Sequence, residues 1–123
     1  MSKAAKDVIW CASSRRDVSK FPDDVRDVLG YGIFQAQIGK KHTDAKPLSG
    51  FGGAGVLEII DCSDGDTYRC VYTVKFSEFV YVLHAFQKKS VKGIATPQTE
   101  VDLIRGRLKQ AEEHYRQWKE RTG

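Results

Sequence analysis

Apolar and polar residues alternate most cleanly between Tyr68 and Gln87. There Tyr-Arg-Cys-Val-Tyr-Thr-Val and Val-Tyr-Val-Leu-His-Ala-Phe-Gln flank a short turn. A period of two sends alternate side chains to opposite faces of a strand, so the pattern predicts strands over 67–75 and 79–87. A third strand, 56–62, precedes them and closes on the turn Ser63-Asp64-Gly65-Asp66. Connections this short force antiparallel pairing. Further back, 7–12 (Asp-Val-Ile-Trp-Cys-Ala) reads as a first strand.

Helical spacing replaces alternation in two stretches. Val25, Val28, Leu29, Ile33 and Ala36 recur every three or four residues behind Pro22, Asp23 and Asp24, which suit a helix start, and Gly39 stops the run. Gly30 and Gly32 weaken that helix by about 1 kcal/mol each relative to alanine, a cost that close packing against a neighbour would offset. Thr96-Pro97 opens a second helix, in which Val101, Ile104, Leu108, Ala111, Tyr115 and Trp118 form one apolar stripe. That stripe is core or partner surface. Trp118, near the chain end, is expected to be an exposed aromatic suited to docking a protein partner. Ser13 or Ser14 caps a short helix to about Lys20, and 40–54 is a basic, glycine-rich loop with no period. The expected fold is α+β, a small antiparallel sheet in the order β-α-α-β-β-β-α, in one domain over 1–123.

Composition narrows the class. No apolar run approaches the roughly 20 residues that span a bilayer, and the start MSKAAKDV lacks a signal peptide's apolar core, which points to a cytoplasmic protein. Three cysteines without a C-x-x-C fit a reducing compartment and small core residues rather than disulfides or zinc. The net charge of +4 permits nucleic-acid or acidic-protein partners. Its distribution is uneven: nine Lys/Arg against five acids from Phe86 to the end, and a second cluster at Lys40, Lys41, His42 and Lys46. Arg69 inside a strand, with Lys88-Lys89 ending the next, makes a cationic platform on a rigid sheet. An arginine there must face a partner, a ligand or water.

Several motifs occur in a recognisable order: Pro22…Val25-Arg26, Gln37-Ile38-Gly39, Lys46-Pro47-Leu48…Gly50, Val56…Glu58-Ile59, Tyr68-Arg69…Tyr72, and Val82 to Ser90 followed by Thr96-Pro97. Together they resemble the RelE/ParE/HigB toxin superfamily of bacterial toxin–antitoxin systems, over roughly residues 7–110, and its phage-derived, HigB-like host-killer branch in particular. The resemblance implies a toxin neutralised by a partner antitoxin, often a helix-turn-helix protein. In the RelE and HigB branches it implies cleavage of mRNA on the translating ribosome, without a cofactor. ParE relatives act on DNA gyrase instead, so a non-enzymatic gyrase binder or a decayed phage-derived binding module stands as the alternative. Relatives commonly carry a tryptophan before the strand glutamate and an arginine two residues after it. Here those positions are Leu57 and Ile60.

Cleavage of this kind needs a proton acceptor for the ribose 2′-hydroxyl, a donor for the leaving oxygen and cations for the phosphorane. Arg69 matches the superfamily's strand arginine and would clamp phosphate, or else pair with Glu58 on the neighbouring strand. Lys88 and Lys89 stand where relatives place strand-end basic residues, and only one of them can share Arg69's face. A four-residue connection over Lys75–Glu78 would set His84 opposite Arg69 with Lys88 on the same side. One residue more would flip both. His84 is the candidate general base, against the alternative of a satisfied core histidine. Lys40, Lys41, His42 and Lys46 are candidate RNA-backbone contacts. No metal is implied, because no His/Asp/Glu cluster has ligand spacing.

Overall fold

In the computed structural model, which describes residues 5–88 and 95–123, five strands form one mixed sheet in the order β1-β5-β4-β3-β2. The elements are β1 (Asp7–Trp10), α1 (Ser14–Ser19), α2 (Asp23–Gln37), β2 (Ala45–Pro47), β3 (Val56–Ser63), β4 (Asp66–Thr73), β5 (Phe79–Lys88) and α3 (Gln98–Thr122). The α+β class is as expected, and β2 to β5 pair antiparallel. Two features differ from the expected order. β1 adds a parallel edge against β5, and Ala45–Pro47 adds a short strand at the other edge. An edge tolerates Pro47, which has no N–H to offer a ladder.

Each face of the sheet carries its own core. Val25, Leu29, Ile33 and Ala36 of α2 pack on Ile59, Tyr68, Cys70, Tyr72, Val82 and Ala85. On the opposite face Ile104, Leu108 and Ala111 of α3 pack on Val56, Val71, Phe79, Tyr81 and Leu83. Gly32 lets α2 sit close on β3, because a Cβ on it would strike the tip of the Ile59 side chain and force it to shift. Gly39 ends α2 with φ +81°, a left-handed turn that glycine adopts without strain. Trp118 is half-buried, its ring set edge-on against Phe79 at 4.9 Å between centroids, so the expected free aromatic is partly covered by the fold itself.

The β4–β5 hairpin holds two irregularities that cancel. Its connection, 74–78, is one residue longer than the four-residue form, and pairing begins Thr73↔Tyr81, Tyr72↔Val82. Carried onward, that register would send His84 to the α2 face. Instead Val71 pairs with His84, Cys70 with Ala85 and Arg69 with Phe86. Leu83 is an extra residue, a β-bulge, and it restores His84, Phe86 and Lys88 to the α3 face. The residue across from Arg69 is therefore Phe86, with His84 two pairs further along and on the same face.

Candidate functional site

Polar side chains gather between the α3 face of the sheet and the first half of α3. Arg69, on the central strand β4, is 1% exposed. Its Nη1 donates to Thr96 Oγ1 at 3.1 Å and lies 3.7 Å from Glu58 Oε1, while Thr96 donates the same hydroxyl's proton to Glu58 Oε2 at 2.6 Å. One hydroxyl thus accepts from the cation and donates to the anion, so the buried pair is bridged as well as opposed. The pairing with Glu58 that the sequence offered as an alternative is the one the structure forms.

A second network lies beside it. His84 is 7% exposed and places Nε2 2.6 Å from Glu100 Oε2. Its Nδ1 stands 3.0 Å from Arg107 Nη1. A guanidinium only donates, so Nδ1 accepts and Nε2 carries the proton given to Glu100. Arg107 Nη1 also donates to the carbonyl of Leu83 at 3.0 Å, the residue at the bulge. Behind Arg107, Ser13 Oγ donates to Asp17 Oδ2 at 2.8 Å. Both ring nitrogens of His84 are thus engaged, and proton abstraction by it requires one of these bonds to open.

Clefts flank these networks. One of about 290 Å³ lies at the β2 edge, lined by Lys46, Leu48, Glu58, Ile60, Arg69 and Thr96. Another of about 220 Å³ lies at the end of β5, lined by Phe86, Lys88, Pro97, Thr99 and Glu100. A third, about 350 Å³, runs past Lys20, His84, Phe86 and Glu100. Lys46 pairs across from Glu58, so it shares the face of Arg69, His84 and Lys88. Ile60 stands across from Arg69, so the cation this chain lacks relative to the resemblance is missing from the β2-edge cleft.

The structure brings together Arg69, His84, Lys88 and Lys46. It does not bring Lys40, Lys41 and His42 to them. These follow α2 on the other side of the sheet, where His42 meets Tyr31 edge-on with centroids 6.0 Å apart and its Nδ1 accepts from the Asp44 amide at 3.0 Å. Lys89 lies outside the described residues. Thr96, Glu100 and Arg107 escaped the sequence reading. Thr96 was legible only as a helix start, and the other two are charges on a helix whose apolar stripe drew the attention. Arg107 did carry one signal, since it falls three residues after Ile104 and one before Leu108, at the margin of the buried stripe.

Burial sets the remaining chemistry. It pushes the Cys70 thiol up to about 12 and the Cys11 thiol to about 11, the latter in spite of the neighbouring Arg107 charge. Neither is a nucleophile at neutral pH. Among the described residues no group of three or more His, Cys, Asp or Glu is arranged to hold a metal ion. Nor is any helix long and apolar enough to cross a membrane.

Residues 16–109 match the family described as phage-derived protein Gp49-like. The structure also overlays on a chain of the toxin–antitoxin complex RelBE2 from Mycobacterium tuberculosis at 20% identity and a TM-score of 0.47, covering 69% of this chain and 100% of that one. No curated protein matches the sequence significantly.

Proposed function

We propose, from the premise that this chain belongs to the phage-derived Gp49-like family, that it is the toxin of a type II toxin–antitoxin system. It acts as a single domain in the cytoplasm, cleaving mRNA on the ribosome without a metal, and is held in check by a cognate antitoxin of helix-turn-helix type. The observation that supports a nucleic-acid target is a row of basic residues on the α3 face, set among the carboxylates of Glu58 and Glu100. Lys46 and Lys88 stand at its two ends and Arg69 lies at the floor of the cleft between β2 and α3.

In this reading the lysines divide the work by reach. Lys46 is exposed and Lys88 half-buried at a cleft wall, so both can meet a phosphate, with Lys89 next in the chain. Arg69 is held beneath them by Glu58 and Thr96, and the Glu58 carboxylate offsets its charge. The attacking group is the ribose 2′-hydroxyl, the bond formed joins it to the adjacent phosphorus, and the bond broken releases the 5′ oxygen of the next nucleotide. Water takes the 2′ proton, and water protonates the leaving oxygen. Cations that stabilise the phosphorane carry most of the rate. Lys40, Lys41 and His42 lie off this face and would meet only RNA that wraps the sheet edge.

Primer extension on a defined mRNA in a reconstituted translation system tests the reading. Cuts at the A-site codon should fall about 100-fold in Lys88→Ala and in Lys46→Ala, the scale of losing one charge-stabilising contact. Intact mRNA with the unaltered protein would sink the nuclease. A second reading has its own support: the two residues best suited to the chemistry, Arg69 and His84, are both taken up by carboxylates. That arrangement suits a binding module without nuclease activity, such as a gyrase-docking toxin. Gyrase inhibition with uncut RNA would select it.

A further inference from the structure

The outward face of α2 has no role in either core. Tyr31, Phe34 and Ile38 are 56%, 49% and 42% exposed, three of the four exposed large hydrophobics among the described residues. Their spacing of three and four places them on one side of the helix, opposite Val25, Leu29 and Ile33. Asp24 and Asp27 precede this strip and Lys40 and Lys41 follow it, all exposed. Along α2, about 22 Å for its 15 residues, the face therefore reads acidic, apolar, basic.

Gly30 sharpens the picture. A helix-interior glycine costs about 1 kcal/mol relative to alanine. Gly32 is accounted for inside the chain, since its Cβ would strike Ile59, but a Cβ on Gly30 would meet nothing within 4 Å. Nothing in the fold requires glycine there. Gly106 on α3 is equally open, yet Leu103 is the one exposed large hydrophobic beside it, among Asp102, Arg105 and Lys109, and a single residue makes no strip.

We infer that this face pairs with the same face of a second copy, α2 against α2, antiparallel about a two-fold axis near Phe34. The charge pattern is self-complementary only in that arrangement, with the acidic end of each helix set against the basic end of the other. The register follows from position. Gly30 and Ile38 are four residues either side of Phe34, so each Ile38 enters the gap over the other copy's Gly30, where the missing side chain lets the helices approach. The two-fold makes the contact isologous and closed. The strip is short, so the association belongs in the micromolar-to-millimolar range. It is independent of whether the protein cuts RNA.

Sedimentation equilibrium on the full chain over a wide concentration range tests it, with circular dichroism to confirm that each variant folds. The mass should rise from 13.8 kDa toward twice that value as concentration increases. Phe34→Glu should hold it at the monomer. Asp24→Lys/Asp27→Lys alone and Lys40→Glu/Lys41→Glu alone should each weaken association. Mixing those two variants should restore it, because in the mixed pair both ends are of opposite charge. A monomer at every concentration would overturn the inference, even if α2 then binds a different protein. So would self-association that Phe34→Glu leaves intact, or charge variants whose mixture is no tighter than either alone.

Discussion

Replacing Arg69 by methionine tests whether that arginine holds the fold together before it does anything else. Glu58 is 8% exposed, and its partners are the Thr96 hydroxyl at 2.6 Å and the Arg69 guanidinium at 3.7 Å. Arg69→Met keeps an unbranched stem in the same space and leaves the carboxylate buried opposite a thioether. Breaking a buried pair from one side costs about 3–5 kcal/mol, because an uncompensated charge remains. Domains of this size have about 5–15 kcal/mol in all. With a urea slope of about 2 kcal/mol per molar, the midpoint should fall by roughly 2 M. The double variant Glu58→Gln/Arg69→Met removes both charges and should recover most of that loss, giving a coupling energy of about 2 kcal/mol or more. Urea melts of the unaltered protein, Arg69→Met, Glu58→Gln and the double variant, followed by circular dichroism and tryptophan fluorescence, close the cycle. If Arg69→Met shifts the transition by less than about 0.5 kcal/mol, the pair is not structural and the reasoning fails. If it behaves as expected, loss of activity in an Arg69 variant says nothing about catalysis, and Lys46 and Lys88 become the residues to question.

Three further outcomes follow from the packing. Gly30→Ala should stabilise a dilute, monomeric sample by about 1 kcal/mol, while Gly32→Ala should destabilise by about 1–3 kcal/mol as Ile59 is displaced; equal effects in thermal melts would refute the assignment of faces. Iodoacetamide at pH 8 should label exposed Cys62 first, Cys11 far more slowly and Cys70 only on unfolding, as read by peptide mass spectrometry. Alkaline pH should destabilise the fold: burial raises Cys70, Tyr72 and Tyr81 to about 12, so between roughly pH 9 and 12 the unfolded chain loses protons that the folded chain keeps. Stability present below pH 9 is lost over that window, and a flat pH profile there would contradict their burial.

Much of this was legible from pattern alone. Every member of the stripe Val101, Ile104, Leu108, Ala111, Tyr115 and Trp118 packs into the α3-face core, because a period of 3.6 leaves little choice about which side of a helix meets a sheet. The acidic turn at 63–66 and the stop at Gly39 were as visible, since glycine with positive φ marks both. What escaped depends on contacts across elements. Ala45–Pro47 is too short to show a period and exists because β3 offers it an edge. Thr96, Glu100 and Arg107 are polar residues that turn inward only because Glu58, His84 and the Leu83 carbonyl wait on the sheet. Trp118 looked uncovered because its cover, Phe79, lies 39 positions away.

The bulge at Leu83 bears on how relatives of this chain are to be compared. From His84 onward, which residues line the α3 face is decided by a single inserted position, and a strand has only two choices. A relative that lacks the extra residue still sends its His84 and Phe86 equivalents to the α3 face, but an ungapped alignment writes its Ala85 and Gln87 equivalents into those two columns. An alignment that puts the gap after β5 instead of within it will then exchange inward and outward residues throughout the site. Transfer of functional residues between such relatives is sound only when the gap is placed at the bulge, because a one-residue length difference there shifts every later column while leaving the surface itself unchanged.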